Sequence, residues 1–95
     1  MSVHTGQTTI ASTNVAQQLT TTRTPAYMVI IQNNAGADVR VGDSTVSSTK
    51  GHLLKTGGTP PNTLVLGPFP ALSLEVSQIF INGTSTNAID WTFVK

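Results

Sequence analysis

Val39-Arg40-Val41-Gly42-Asp43-Ser44-Thr45-Val46-Ser47-Ser48-Thr49-Lys50-Gly51-His52-Leu53-Leu54 decides how this chain folds. Val39 and Val41 alternate with Arg40, the period-two pattern of a strand with one buried face. Gly42-Asp43-Ser44 ends that strand, because these residues tolerate unusual dihedrals and bond their own backbone. A short apolar step at Val46 follows, then a second turn at Gly51 and a further strand from His52. No nucleophile here has a base beside it, so the stretch reads as architecture.

The same logic extends outward in both directions. Ala26-Tyr27-Met28-Val29-Ile30-Ile31-Gln32-Asn33 is a β-branched run, apolar on both faces, the pattern of a strand central in a sheet. Asn33 to Asp38 reads as a turn, so the run before it and the strand from Asp38 to Gly42 are expected to pair as a hairpin with a longer loop. Downstream, Gly57 to Asn62 is a loop, Thr63 to Leu66 a short strand, and Gly67-Pro68-Phe69-Pro70 a break. Leu72, Leu74 and Val76 alternate with polar residues. The phase then shifts at Gln78, which implies a bulge or turn near Ser77-Gln78. Ile79 to Asn82 and Ala88 to Val94 flank a polar linker and are expected to form a second hairpin, with Ile89, Trp91 and Phe93 on its inner face.

Upstream, Ala11 to Leu19 lacks a continuous apolar stripe at helical spacing, and Thr20 to Pro25 is β-prone. The expected fold is therefore all-β: a single small β-sandwich or jelly-roll-like barrel over residues 26–95. An extended N-terminal arm is expected over residues 1–25, with Gln7 to Ile10 as an edge strand within it.

Ninety-five residues make one domain. Cysteine is absent, so neither a disulfide nor a thiolate metal site can form. Only 9% of residues are Asp, Glu, Lys or Arg, against roughly 25% in ordinary domains. Polarity comes instead from 16 Thr, 8 Ser, 6 Asn and 5 Gln. Such a surface suits packing against other protein, because neutral polar groups cost less to desolvate than charges.

A nucleic-acid binder needs clustered cations, and Arg23, Arg40, Lys50, Lys55 and Lys95 are scattered. No apolar run approaches the roughly 18 residues of a membrane span. Met1 to Gly6 lacks a signal-peptide pattern, so synthesis in a cytoplasm without export by that route is expected.

Catalytic constellations are equally thin. His4 and His52 show no ligand spacing. Asp38 and Asp43 fall in turns and Asp90 on the outward side of a strand, so with Glu75 they read as turn and surface groups rather than an acid–base pair. Ser44 follows Gly42-Asp43 but lacks both the final glycine and the helix of a nucleophile elbow. Gly57-Gly58 is too short to cradle phosphate, and Asn82-Gly83-Thr84, though it matches a glycosylation acceptor, reads as turn chemistry. Trp91 and Tyr27 lie within apolar strands, as core residues do, rather than on a sugar-stacking platform. No catalytic, cofactor-binding or metal residue is expected, and no enzymatic activity.

The V-x-V-G-D-S-x-V core at Val39–Val46, the G-x-x-L at Gly51–Leu54, the preceding apolar strand ending in Asn33-Asn34, the Ile79-Phe80-Ile81-Asn82-Gly83 segment and the final Trp91 strand share a pattern. Over about Ala26 to Val94 it resembles small structural β-proteins of tailed-bacteriophage virions. The resemblance implies a virion component with no catalytic role. Such proteins commonly decorate or cement a capsid, often as trimers at local symmetry axes, and others sit in tails or fibres.

The expectation is a head decoration or cement protein on the capsid surface, made in the host bacterial cytoplasm. Its partners would be the major capsid protein and further copies of itself, a trimer being favoured, with no nucleic acid and no membrane. Ser2 to Thr13 would order on a neighbour. The alternative is a tail or fibre module binding a host surface glycan, with Phe69 as its one loop aromatic.

Overall fold

Val39–Gly42 and His52–Leu54 are both strands, as the sequence predicts, and they pair with each other as a hairpin. In the computed structural model, which describes all residues Met1–Lys95, Val39 lies opposite Leu54 and Val41 opposite His52. Val39, Val41 and Leu54 are buried, and Arg40 projects from the other face. Gly51 turns the chain at φ +128°, a conformation that side-chain-bearing residues rarely adopt.

Ten strands make up the fold: β1 (Val3–Thr9), β2 (Gln17–Gln18), β3 (Pro25–Ala26), β4 (Met28–Asn33), β5 (Val39–Gly42), β6 (His52–Leu54), β7 (Thr63–Leu66), β8 (Leu74–Glu75), β9 (Phe80–Asn82) and β10 (Ala88–Val94). The helical content is one 3-10 turn, Val76–Gln78. One antiparallel sheet runs β1-β10-β4-β7 and the other β2-β9-β5-β6, with a small β3-β8 ladder beside them. Their inner faces meet in one apolar core that includes Val29, Ile31, Ile89 and Trp91 from the first sheet and Val39, Val41, Leu54 and Ile81 from the second. Setting the β3-β8 ladder aside, successive strands alternate between the two four-stranded sheets at every step except the hairpin β5-β6. This is the two-sheet, eight-strand arrangement of a jelly roll.

Two expected hairpins are not formed. β4 and β5 lie in different sheets, and so do β9 and β10. The linkers 34–38 and 83–87 cross the sandwich instead of reversing within a sheet. The faces are nevertheless as the alternation gives them: Ile89, Trp91 and Phe93 point into the core and Asp90 and Thr92 away from it. The phase shift near Ser77-Gln78 is the 3-10 turn itself. The alternation upstream of it shortens to Leu74–Glu75, leaving Leu72 48% exposed.

The N-terminal arm is also corrected. Val3–Thr9 pairs along its whole length with β10, from Val3 opposite Val94 to Thr9 opposite Ala88. Ile10 and Leu19 are buried in the core, and Gln17–Gln18 pairs with β9. Residues 1–25 are thus built into both sheets. The inward positions of β1 are His4, Gly6 and Thr8, opposite Phe93, Trp91 and Ile89. The neighbouring strand supplies the apolar volume there. His4 stacks on Phe93 at 5.0 Å, and Thr8 accepts the Trp91 indole N–H at 3.0 Å while donating to the Leu19 carbonyl.

Gly6 is required by close approach: a Cβ there would overlap the six-membered ring of Trp91. Gly6→Ala is expected to destabilise the domain by about 1–3 kcal/mol, the range of core overpacking. Thermal melting checks this, and an unchanged Tm would show that the indole can move aside.

Candidate functional site

Each of the four carboxylates serves local structure. Asp38 Oδ1 accepts the Thr56 amide at 2.9 Å. Asp43 Oδ1 accepts the amide and hydroxyl of Thr45 at 2.9 and 2.6 Å, fixing the turn after β5. Asp90 accepts Gln7 Nε2 at 2.8 Å and Asn34 Nδ2 at 3.0 Å. Glu75 accepts the Thr24 amide at 2.6 Å and the Ser77 hydroxyl and amide at 2.8 and 3.2 Å, with Arg23 at 3.7 Å. No three His, Asp or Glu side chains converge. Ser44 is exposed, His52 opens β6 on the surface, and Gly57-Gly58 forms a turn. Trp91 is buried, Tyr27 half-buried, and Phe69 is 40% exposed between Pro68 and Pro70.

Glu75 ties the β3-β8 ladder to the 3-10 turn and gives the fold a pH dependence. The Thr24 amide, followed by Ser77 and Arg23, holds its pKa below the ordinary 4.5, against the opposing pull of desolvation. A carboxyl with a lower pKa folded than unfolded stabilises fully above the unfolded value and loses that contribution as pH falls through the folded one. Tm is therefore expected to be level down to about pH 4.5 and to fall below it. Asp43, lowered from 3.8 chiefly by the Thr45 hydroxyl, acts with the same sign at lower pH. Glu75→Gln should flatten the upper part of the fall, and an equally steep fall in that variant would remove Glu75 from the account.

Beside a groove lined by Ala11, Val15 and Phe80, the surface carries three further features. The first is the outward face of the β1-β10-β4-β7 sheet. Register places Thr5, Thr92, Ile30 and Val65 in one row across all four strands, Val3, Val94 and Met28 in the next, and Gln7, Asp90, Gln32 and Thr63 on the other side. None of these residues is buried, so nothing within the chain covers this face. Its one charged strand residue is Asp90, already held by Gln7 and Asn34. The sequence of β4 is apolar on both faces, the pattern of a strand central in its sheet. The structure makes it an inner strand, between β10 and β7, yet leaves its outward side uncovered.

The second feature is an apolar groove of about 440 Å³ between the β6 and β7 edges, lined by Val41, Leu64, Leu66 and Ile79 with His52 and Asp43 at its rim. The third is a polar cavity of about 210 Å³ on the outward face of the other sheet, around Arg40 and Asn82. No local sequence pattern announces the cavity, because its residues come from four separated segments.

The geometry defines a small jelly-roll protein that carries an uncovered sheet face, an apolar edge groove and a polar cavity on its surface. Comparison with protein-family models, with curated proteins and with solved structures finds no match.

Proposed function

We propose that this chain is a structural protein of a tailed-phage virion, of the head decoration or cement type. It would bridge major capsid subunits with the outward face of the β1-β10-β4-β7 sheet. The observation that carries the reading is β4. Met28 and Ile30 point outward from a strand whose pattern is that of a strand covered on both sides, and the chain itself covers only one side. The neighbouring Val3, Val65 and Val94 extend the apolar surface. Covering it with protein would desolvate hydroxyls and methyls and a single, already bonded carboxylate. The jelly roll recurs in viral capsid domains, although a fold alone does not set function.

The face spans four strands and up to seven residues, on the order of 400 Å² from strand spacing and rise. That is about half of the ~800 Å² per partner of a standard interface. A single contact of this kind is weak. Repetition around a shell, or a trimer that links three such faces, converts it into stable attachment through avidity.

The tail or fibre reading asks for exposed aromatics to stack on sugar. Phe69 supplies one ring and Trp91 none, so a stacking platform of the kind that reading asks for is not assembled. Cryo-electron microscopy of the particle that carries this chain tests the choice. Jelly-roll density is expected on the outside of the head shell, and its confinement to the tail, or its absence, would overturn the reading.

A further inference from the structure

The polar cavity lies on the face opposite the proposed docking face. Arg40 on β5 sits directly across from Asn82 on β9 and from Leu53 on β6, so the three form one row on the outward side of the β2-β9-β5-β6 sheet. Asn14, Asp38, Ser48 and Thr84 close the sides. Arg40 is fixed in place: its Nε donates to the Ser48 carbonyl at 3.0 Å and its Nη1 to the Gly51 carbonyl at 2.9 Å. Its Nη2 has no protein partner.

Asn82 is the informative residue. It is only 3% exposed, yet its carboxamide takes part in no hydrogen bond with the rest of the protein. No polar side-chain atom in the chain is both fully enclosed and unsatisfied, so the Asn82 amide opens to solvent, and it does so through this cavity. Whatever fills the cavity, water or a ligand, therefore supplies the hydrogen bonds of this nearly buried amide. Asp38 keeps one carboxylate oxygen free, because only Oδ1 is used, by Thr56. Asp38 and Arg40 make no ion pair, since the chain's one salt bridge joins Arg23 to Glu75.

The cavity thus presents a carboxamide that donates and accepts, an anchored guanidinium that donates, a carboxylate that accepts, and hydroxyls at the rim. One cation and one anion leave it without net charge, which disfavours a phosphate or a free carboxylate. Its volume is below the ~300–1,000 Å³ of drug-sized sites, which suits one small polar unit. We propose that it is a saccharide subsite. Adjacent hydroxyls of a neutral sugar would bridge Asn82 to Asp38 and Arg40, with Leu53 as the apolar contact. This does not depend on the place of the protein in the virion. On a head protein docked by the opposite sheet, the cavity faces outward.

Titration of the ¹⁵N-labelled full chain with glucose, galactose and N-acetylglucosamine tests it, with inorganic phosphate in a parallel arm. At tens of millimolar, at least one sugar is expected to shift the amides of Arg40, Gly83 and Thr84 and the side-chain amide of Asn82. Asn82→Ala should weaken that binding about tenfold, the effect of losing one or two neutral hydrogen bonds. Should that variant fail to fold, exposed Thr84→Ala serves in its place, with a smaller loss expected. No shift at these residues with any of the sugars, shifts centred on Phe69 instead, or shifts caused by phosphate and not by sugar would each overturn the proposal.

Discussion

Replacing Asn33 with leucine is expected to lower Tm by about 10–20 °C. Asn33 is completely buried at the end of β4. Its two amide hydrogens are shared among the carbonyls of Ala37, Leu54 and Lys55 at 2.9, 3.2 and 2.9 Å, and its Oδ1 accepts the Ala35 amide at 3.0 Å. One side chain therefore shapes the 34–38 linker and ties β4 of one sheet to the end of β6 in the other. Leucine keeps the branched outline of four heavy atoms but is bulkier, and it strands an amide and several carbonyls. Each buried orphan costs about 1–3 kcal/mol, so a total near 3 kcal/mol is expected, against roughly 5–15 kcal/mol for a whole domain. In a domain of this size each kcal/mol shifts Tm by about 4–8 °C. Asn33→Asp should be worse at neutral pH, since it turns a carboxylate toward carbonyl oxygens. Calorimetry or circular dichroism decides it: a loss of only a degree or two in Asn33→Leu would mean that the linker holds its shape without this network.

Asn33 also shows where sequence reading stops. Periodicity fixed the strands and their faces well: Val39 and Val41 in, Arg40 out, and Ile89, Trp91 and Phe93 in. It did not fix partners. A five-residue linker such as 34–38 can reverse a strand within a sheet or carry it across the ~10 Å between sheets, and the apolar pattern of the strands is the same either way. What selects the crossing is a buried carboxamide collecting carbonyls from residues about twenty positions away, which no local pattern announces.

The N-terminal strand was legible only at its end, as an edge strand from Gln7, and the rest was hidden for a different reason. A period-two signal needs apolar side chains at the inward positions. Along β1 those positions are His4, Gly6 and Thr8, because Trp91 and Phe93 already fill the space beneath. The size of one strand's side chains erased the signal of its neighbour. The polar cavity was illegible on both counts, since Asn14, Arg40, Asn82 and Thr84 meet only after the sheets have formed.

The outward face of the β1-β10-β4-β7 sheet allows docking to be separated from folding. Ile30 and Val65 lie directly opposite each other on that face, Ile30 half-buried and Val65 51% exposed. With Ile30→Lys and Val65→Glu introduced together, the new charges face each other across the strands. In the free protein they remain in water, the lysine stem still covers its neighbours, and opposite charges at paired positions help rather than harm a sheet. Tm should therefore change by only a few degrees. Under a bound partner the same pair must be desolvated, at several kcal/mol per ion before any mutual attraction, which corresponds to a loss of affinity on the order of a hundredfold or more. Co-sedimentation of the purified protein with particles that lack it measures this. Wild type and Thr59→Lys, a charge added on an exposed loop away from the face, should sediment with the particles, and the double variant should stay in the supernatant. If the double variant unfolds, Val65→Glu alone carries the same expectation at the more exposed position. A folded variant that still binds like wild type would mean that this sheet does not face the capsid.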